Sequence, residues 1–127
     1  MLLAVCQEFE IEHDFVSRGI AYFFAGGFGN TGAVCGAVCG AIMALGLNRG
    51  RPDTMDEVLP TLAAAQEFRR RFEAEMGTIS CRELTELDLS TEEGVEQFMS
   101  SDIPQTVCFP AVGVAYRLVV DLLTETS

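Results

Sequence analysis

The sequence predicts an all-α protein, a single-domain bundle of five to seven helices around a buried central helix. Apolar side chains recur at three- and four-residue spacing in most segments, and no segment shows the alternation or Asn-Gly turns of a sheet. One stretch, residues 26–47, is rich in glycine, alanine and cysteine and lies inside a run without charge from 19 to 47. A helix that is apolar on all sides is typical of one buried by its neighbours.

Composition and charge limit the classes of partner. The chain has 127 residues, 49 % hydrophobic and 21 % charged, which predicts one folded domain over residues 1–127. Its formal net charge of −11 would repel phosphates, so we expect neither nucleic acid nor anionic membrane surfaces as partners. The N-terminus lacks the basic region of a secretory signal, and a cytoplasmic location is therefore expected.

Three helices are predicted in the first half of the chain. Leu2, Leu3, Cys6 and Phe9 follow helical spacing and predict a helix over residues 1–10. Asp14 can cap a second helix that continues to residue 24 and ends in the glycines of residues 26–32. The central helix is predicted over residues 32–47, where the loop at 48–52 stops it.

Four further helical segments are predicted after the central helix. Residues 54–76 form an amphipathic pattern, in which Pro60 predicts a kink or a broken helix start, and Gly77 ends it. The Ser-x-x-Glu spacing at 80–83 predicts a capped helix with Cys81 in its first turn, and residues 90–93 repeat the signature before a short helix to residue 98. After a loop, a last helix is predicted over residues 109–124, with Cys108 just before it.

Two familiar motifs in the first half of the chain are set aside. Gly27, Gly29 and Gly32 fit the G-x-G-x-x-G spacing of dinucleotide sites, but the loop that follows the helix replaces the second strand such a site requires. The uncharged run is long enough for a membrane span, yet its glycine-rich middle divides it into pieces too short to cross. We therefore expect no stable membrane span.

The five cysteines carry the chemistry that the sequence suggests. In a reducing compartment they are free thiols, catalytic thiols or metal ligands rather than structural disulfides. Cys35, Cys81 and Cys108 are each predicted at a helix N-terminus, where the helix dipole favours the thiolate, and Arg82 would add to this at Cys81. We expect these three to converge, and Cys6 and Cys39 to pack in the core.

A metal site is the alternative use of the same thiols. No tight metal-binding motif is present, and the one histidine, His13, is expected in a solvent-facing loop. An iron-sulfur cluster or other thiolate-bound metal would use Cys35, Cys81 and Cys108, with Cys39, Cys6 or a residue of a partner chain as the fourth ligand.

The cysteine blocks resemble the C_GCAxxG_C_C family of small redox-active proteins. The block Cys35-Gly36-Ala37-Val38-Cys39-Gly40 fits the Cys-Gly-Ala-x-x-Gly core of the family, and residues 77–84 look like its second cysteine block. Cys108 looks like the final cysteine of the family. In one respect the chain departs from the pattern, because it begins after the point where the family's first cysteine lies. Three explanations are open: this member has lost that cysteine, the start of the chain and of the first helix is clipped, or Cys6, two turns on, substitutes for it.

The resemblance implies a helical domain with a redox role. Our leading hypothesis is a redox-active protein in which clustered cysteine thiolates perform thiol-disulfide exchange or electron transfer with a protein redox partner. The runner-up is the metal or iron-sulfur protein described above. A third hypothesis is a non-catalytic helical interaction module, whose glycines at positions 32, 36 and 40 pack against another subunit in a homodimer.

Overall fold

The computed structural model describes residues 1–125, which fold as an all-helical protein. Eight α-helices lie in this range: α1 (Leu2–Glu8), α2 (Asp14–Ser17), α3 (Ala25–Phe28), α4 (Gly36–Arg49), α5 (Val58–Met76), α6 (Cys81–Thr85), α7 (Glu92–Ser100) and α8 (Phe109–Glu125). Single 3-10 turns cover Tyr22–Phe24 and Met55–Glu57, and a π-helical turn, Pro104–Cys108, leads into α8. The all-α prediction is confirmed, whereas five to seven helices was too low a number. The predicted domain also includes residues 126 and 127, which lie outside the described residues.

The number was too low because the second predicted helix is broken into separate turns. A helix from Asp14 to residue 24 was expected, but α2 ends at Ser17, and a 3-10 turn and the short α3 follow. Gly19, just after α2, has a φ of +93°, and Gly26 and Gly27, inside α3, have φ values of +67° and +71°. These lie in the left-handed region, where a right-handed helix cannot continue. Apolar spacing does not reveal such a break.

The central helix starts four residues later than predicted. Residues before α4 are extended, and Val34 forms an isolated antiparallel bridge with Ser80. Pro60 lies in the first turn of α5, where a missing N–H costs no intrahelical hydrogen bond. A 3-10 turn precedes that start, which agrees with the predicted broken helix start at Pro60.

The core forms where four helices meet. α4, α5 and α8 pack on one another, and α1 packs against α4 and α8. The largest fully buried side chains are Phe68, Phe72, Val5, Val119 and Cys6. α4 buries small residues such as Ala41 and Ala44, but Ile42 on the same helix is 38 % exposed. The prediction that the central helix is buried on all sides is therefore wrong.

One helical stretch could cross a membrane by length and composition alone. It comprises Pro104–Glu125 and has a mean hydropathy of 1.6. The core helix of a folded protein passes the same test, and Ala115, Leu118 and Val119 of α8 are buried in the core. The uncharged run of residues 19–47 was the candidate membrane span in the sequence. Its helix, α4, has only 14 residues. That no helix spans a membrane stays a prediction.

Candidate functional site

A short backbone bridge brings Cys35 and Cys81 together. The Cys35 N–H donates to the carbonyl of Ile79 at 2.7 Å, and the Cys81 N–H donates to the carbonyl of Ala33 at 2.7 Å. These two bonds flank the antiparallel pair of Val34 and Ser80. Because side chains alternate along an extended segment, Cys35 and Cys81 project to the same side of the bridge. Residues 46 positions apart in the chain thus become diagonal neighbours.

A tight glycine loop holds the first arm of this bridge. The Ala33 N–H donates to the Gly27 carbonyl at 3.1 Å, and the Thr31 hydroxyl donates to the same carbonyl at 2.6 Å. The backbone of Gly27 lies so close to Ala33 that a Cβ atom added there would be 2.5 Å from the Ala33 nitrogen. The loop therefore fixes the position of Ala33, whose carbonyl accepts from Cys81.

Replacing Gly27 with alanine is expected to destabilise the fold and displace this bridge. The substitution combines a left-handed φ with a backbone clash, which should lower the free energy of unfolding by about 3 kcal/mol or more. Gly29→Ala is the matched control, since Gly29 has a φ of +66° but no atom within 4 Å of an added Cβ. Its cost should be about 1–2 kcal/mol. Urea unfolding measures both, and equal costs would show that the close approach at Gly27 does not matter.

Cys108 reaches the same region from the other end of the chain. It is the last residue of the π-helical turn Pro104–Cys108, which packs against α6. The helical stretch begins at Pro104, so Cys108 lies about one turn inside it. The sequence prediction that Cys108 sits at a helix N-terminus is therefore wrong. The expected stabilisation of its thiolate by the end of a helix is lost with it.

The three thiols line one cavity of about 470 Å³. Three separate elements supply them: Cys35 precedes α4, Cys81 begins α6, and Cys108 ends the π-helical turn. Cys81 is buried, whereas Cys35 and Cys108 are half-buried. The cavity is partly open to solvent, and one of its lining residues, Met99, is 73 % exposed. A small molecule in the cavity would meet a wall that carries all three cysteines.

The thiols of Cys81 and Cys108 are harder to ionise than the sequence suggested. Burial, with smaller contributions from negative charge on Cys35 and Cys108, raises the pKa of the Cys81 thiol to about 11. Burial, followed by the charge of Cys35, also raises the pKa of Cys108. The predicted thiolates at these two positions are therefore wrong, because loss of hydration outweighs the helix terminus at Cys81 and acts without any helix terminus at Cys108. The charge of Cys35 acts on both Cys81 and Cys108, which indicates that the three sulfur atoms are near one another.

Arg82 does not have the role expected from its place in the sequence. Its side chain is 64 % exposed, and its guanidinium lies 3.4 Å from the carboxylate of Asp88. An exposed arginine that is paired with a carboxylate exerts little field on a buried neighbour. The environment of Cys81 is accordingly set by burial rather than by this cation.

The remaining two cysteines lie elsewhere. Cys6 is fully buried in the core, as predicted, where burial raises the pKa of its thiol. Cys39 is half-buried one turn after Cys35, and burial, with a smaller effect from the charge of Cys35, raises its pKa. Among the described residues, neither contributes to the wall of the three-cysteine cavity.

The structure gives no positive sign of a metal centre in the described part of the chain. Over residues 1–125, no group of three His, Cys, Asp or Glu side chains is placed to hold a metal ion. Thiolate-bound zinc and iron-sulfur clusters require three or four ligands that converge on one point. A metal site at Cys35, Cys81 and Cys108, with a fourth ligand from elsewhere, stays a prediction.

Sequence reasoning missed the apolar residues that line the cavity together with the thiols. Val95, Phe98 and Met99 of α7, together with Leu89, supply apolar side chains there. Their spacing of three and four residues is visible in the sequence and predicted an amphipathic helix. Periodicity does not specify how α7 packs. It could therefore not predict that the apolar face of α7 lines the same cavity as the cysteines.

Comparison with known proteins identifies the family. Neither the curated proteins nor the solved structures contain a match to the chain. A family model does match it, over residues 1–122, and carries the description "Putative redox-active protein (C_GCAxxG_C_C)". The match includes all three cysteines of the cavity and agrees with the resemblance seen in the cysteine blocks. The chain therefore belongs to the C_GCAxxG_C_C family.

Proposed function

We propose that this protein performs thiol-disulfide exchange, with Cys35, Cys81 and Cys108 as its reactive thiols. One observation carries the proposal: three cysteines distant in sequence line a single cavity that is open to solvent. A cysteine that serves only as a small hydrophobe needs no such access. Membership in a family described as redox-active supports the same conclusion.

Cys35 is the thiol best suited to attack a partner disulfide. It is half-buried and caps the N-terminus of α4, a helix of 14 residues, whose dipole favours negative charge at that end. Burial raises the pKa of the other two thiols and so lowers their thiolate fractions at neutral pH. The first attack therefore comes from Cys35, and Cys81 or Cys108 reacts in the second exchange.

The reaction then proceeds in two exchanges. The Cys35 thiolate attacks one sulfur of the partner disulfide, a mixed disulfide forms, and the other sulfur leaves as a thiolate. That thiolate takes the proton of Cys81 or Cys108, and the new thiolate attacks the sulfur of Cys35. This second attack releases the other partner sulfur as a thiolate, which takes from solvent the proton that Cys35 had lost. The protein then holds a disulfide, and the partner has gained two electrons and two protons. Reduction by a dithiol reverses both steps.

α4 serves in this proposal as the scaffold that carries Cys35. Its glycines contact the N-terminal part of the chain: a Cβ at Gly36 would be 3.1 Å from the Phe24 carbonyl oxygen, and one at Gly40 would be 3.0 Å from the end of the Met1 side chain. Gly32, before the helix, lies against the side chain of Arg82 in α6. Among the glycines at positions 32, 36 and 40, Gly32 is therefore the one that lets α6, with Cys81, pack closely against the segment before α4.

The other hypotheses now have less support. No observation favours a metal or iron-sulfur site, which metal analysis of anaerobically purified protein would test. If the protein were a non-catalytic interaction module, the open cavity and its three thiols would have no function. A protein redox partner, a homodimer and a cytoplasmic location stay predictions.

Counting thiols before and after mild oxidation tests the proposed exchange. Oxidised native protein, quenched in acid and unfolded, should have lost two of its five thiols, and dithiothreitol should restore them. Protein oxidised in urea is the control, because an unfolded chain pairs its cysteines without selection. If native protein retained all five thiols after oxidation, the proposal would fail.

A further inference from the structure

The wall of the three-cysteine cavity is apolar apart from the thiols and two neutral polar side chains. Among the described lining residues, the polar side chains other than cysteine are Asn30 and Thr85. The Thr85 hydroxyl donates to the carbonyl of Cys81 at 2.9 Å, so its hydrogen is already engaged. The apolar part of the wall is supplied by α7, α8 and the segments beside them: Leu84, Leu89, Val95, Phe98, Ala111 and Val112.

We propose that the disulfide which reacts in this cavity is a small, uncharged and apolar molecule. The proposal rests on the thiol-disulfide exchange proposed above and names its substrate class. A protein partner would act in the opposite half-reaction, in which the dithiol is restored.

Charge is the first argument for this substrate class. None of the described lining residues is charged at neutral pH in its usual form, and Arg82, in the same helix as Cys81, is exposed and paired with Asp88. An anion that enters an apolar cavity without a cationic partner loses its hydration and gains little in return. The net charge of −11 adds a repulsive field around the opening. Disulfides that carry carboxylates, such as glutathione disulfide, are therefore disfavoured.

Size and access are the second argument. A cavity of about 470 Å³ lies within the range of small-molecule sites, roughly 300–1,000 Å³. Met99 and Val112 at its edge are 73 % and 38 % exposed, so apolar surface continues from the interior to the opening. An apolar disulfide would bury its own surface against these side chains as its sulfur approaches Cys35.

The reaction balances with no other reagent. For a disulfide R–S–S–R, Cys35 and either Cys81 or Cys108 give up two electrons and two protons and form one protein disulfide. The substrate S–S bond breaks, and two R–SH molecules leave the cavity.

Two aromatic disulfides test the proposal on the reduced full-length protein. 4,4′-Dithiodipyridine is uncharged at neutral pH, and 5,5′-dithiobis(2-nitrobenzoate) carries two carboxylates. The rate with each is divided by its rate with the same protein unfolded in urea, which cancels their different intrinsic reactivities. Peptide mapping assigns the reaction to individual cysteines. We expect a normalised preference for the uncharged reagent at Cys35 of at least about 100-fold.

A matched pair of lysine variants identifies the cavity as the source of the preference. Val112→Lys places a cation at the edge of the cavity and should lower the preference about tenfold by speeding the reaction of the anionic reagent. Gln66→Lys adds the same charge at an exposed position of α5 outside the cavity wall and should leave the preference within about twofold of the wild-type value.

The outcomes separate the substrate class from the exchange itself. Equal normalised rates with the two reagents, together with a disulfide between two of the cavity cysteines, would overturn the apolar substrate and leave the exchange standing. A preference that Val112→Lys leaves unchanged would also overturn it. Mixed disulfides that persist with both reagents, without a protein disulfide, would overturn the exchange.

Discussion

Replacing Cys35 with serine is expected to slow formation of the protein disulfide by at least about 1,000-fold, because a hydroxyl cannot replace the attacking thiolate. Cys35 is half-buried at the start of α4, whereas burial raises the pKa of Cys81 and Cys108 and so lowers their thiolate fractions. The measurement is the rate of thiol loss after addition of an uncharged disulfide, followed by acid quenching.

Cys39→Ser is the matched control for this substitution. Cys39 lies four residues further along α4 on the same face and does not belong to the described cavity wall. Its replacement should change the rate by less than about threefold. Thermal unfolding of both variants checks that each is folded. If folded Cys35→Ser protein still formed a disulfide at the wild-type rate, Cys35 would not be the attacking thiol.

Cys81 is expected to react with iodoacetamide about 100-fold more slowly at neutral pH than an ordinary cysteine. Burial is the main cause that raises its pKa from 9.0 to about 11, and the alkylating reagent reacts with the thiolate. Each unit of pKa lowers the thiolate fraction about tenfold below the titration range. The labelling rate should therefore rise about tenfold per pH unit and level off near pH 11. Quantitative peptide mapping measures this rate for each cysteine, and a plateau near pH 9 would contradict the burial.

The same shift has a consequence for stability. Between pH 9 and 11 the unfolded chain has lost the Cys81 proton while the folded chain retains it. The folded state then binds more protons, so the free energy of unfolding falls as the pH rises through this range. The stabilising contribution is complete below pH 9 and is lost above pH 11. In Cys81→Ser protein, this part of the pH dependence should disappear.

The helical class and most helix positions could be predicted from the sequence because the signals are local. Gly77 ends α5 and Ser80 caps α6 by accepting from the Glu83 N–H at 3.2 Å, as the residue types predicted. The cap of α7 is Thr91 rather than Ser90, a shift of one residue within the predicted signature. Such signals depend only on residues a few positions apart.

The contacts that build the candidate site are not local and could not be predicted in this way. Val34 and Ser80 pair in a single bridge that has no strand pattern around it, and Gly27 adopts a backbone conformation that no spacing rule requires. The sequence therefore singled out Cys35 and Cys81 but not the bridge between their segments. The pKa of Cys81 was expected in the wrong direction for a related reason, since its burial depends on packing around α6.

Disulfide mapping of the oxidised native protein tests the central claim most directly. The protein is oxidised gently, its remaining thiols are blocked in acid, and its peptides are analysed by mass spectrometry without reduction. We predict one disulfide that joins Cys35 to Cys81 or Cys108, with Cys6 and Cys39 recovered as free thiols. A native protein in which the cavity cysteines stay unpaired, or in which Cys6 or Cys39 forms the bond, would contradict a shared redox site at this cavity.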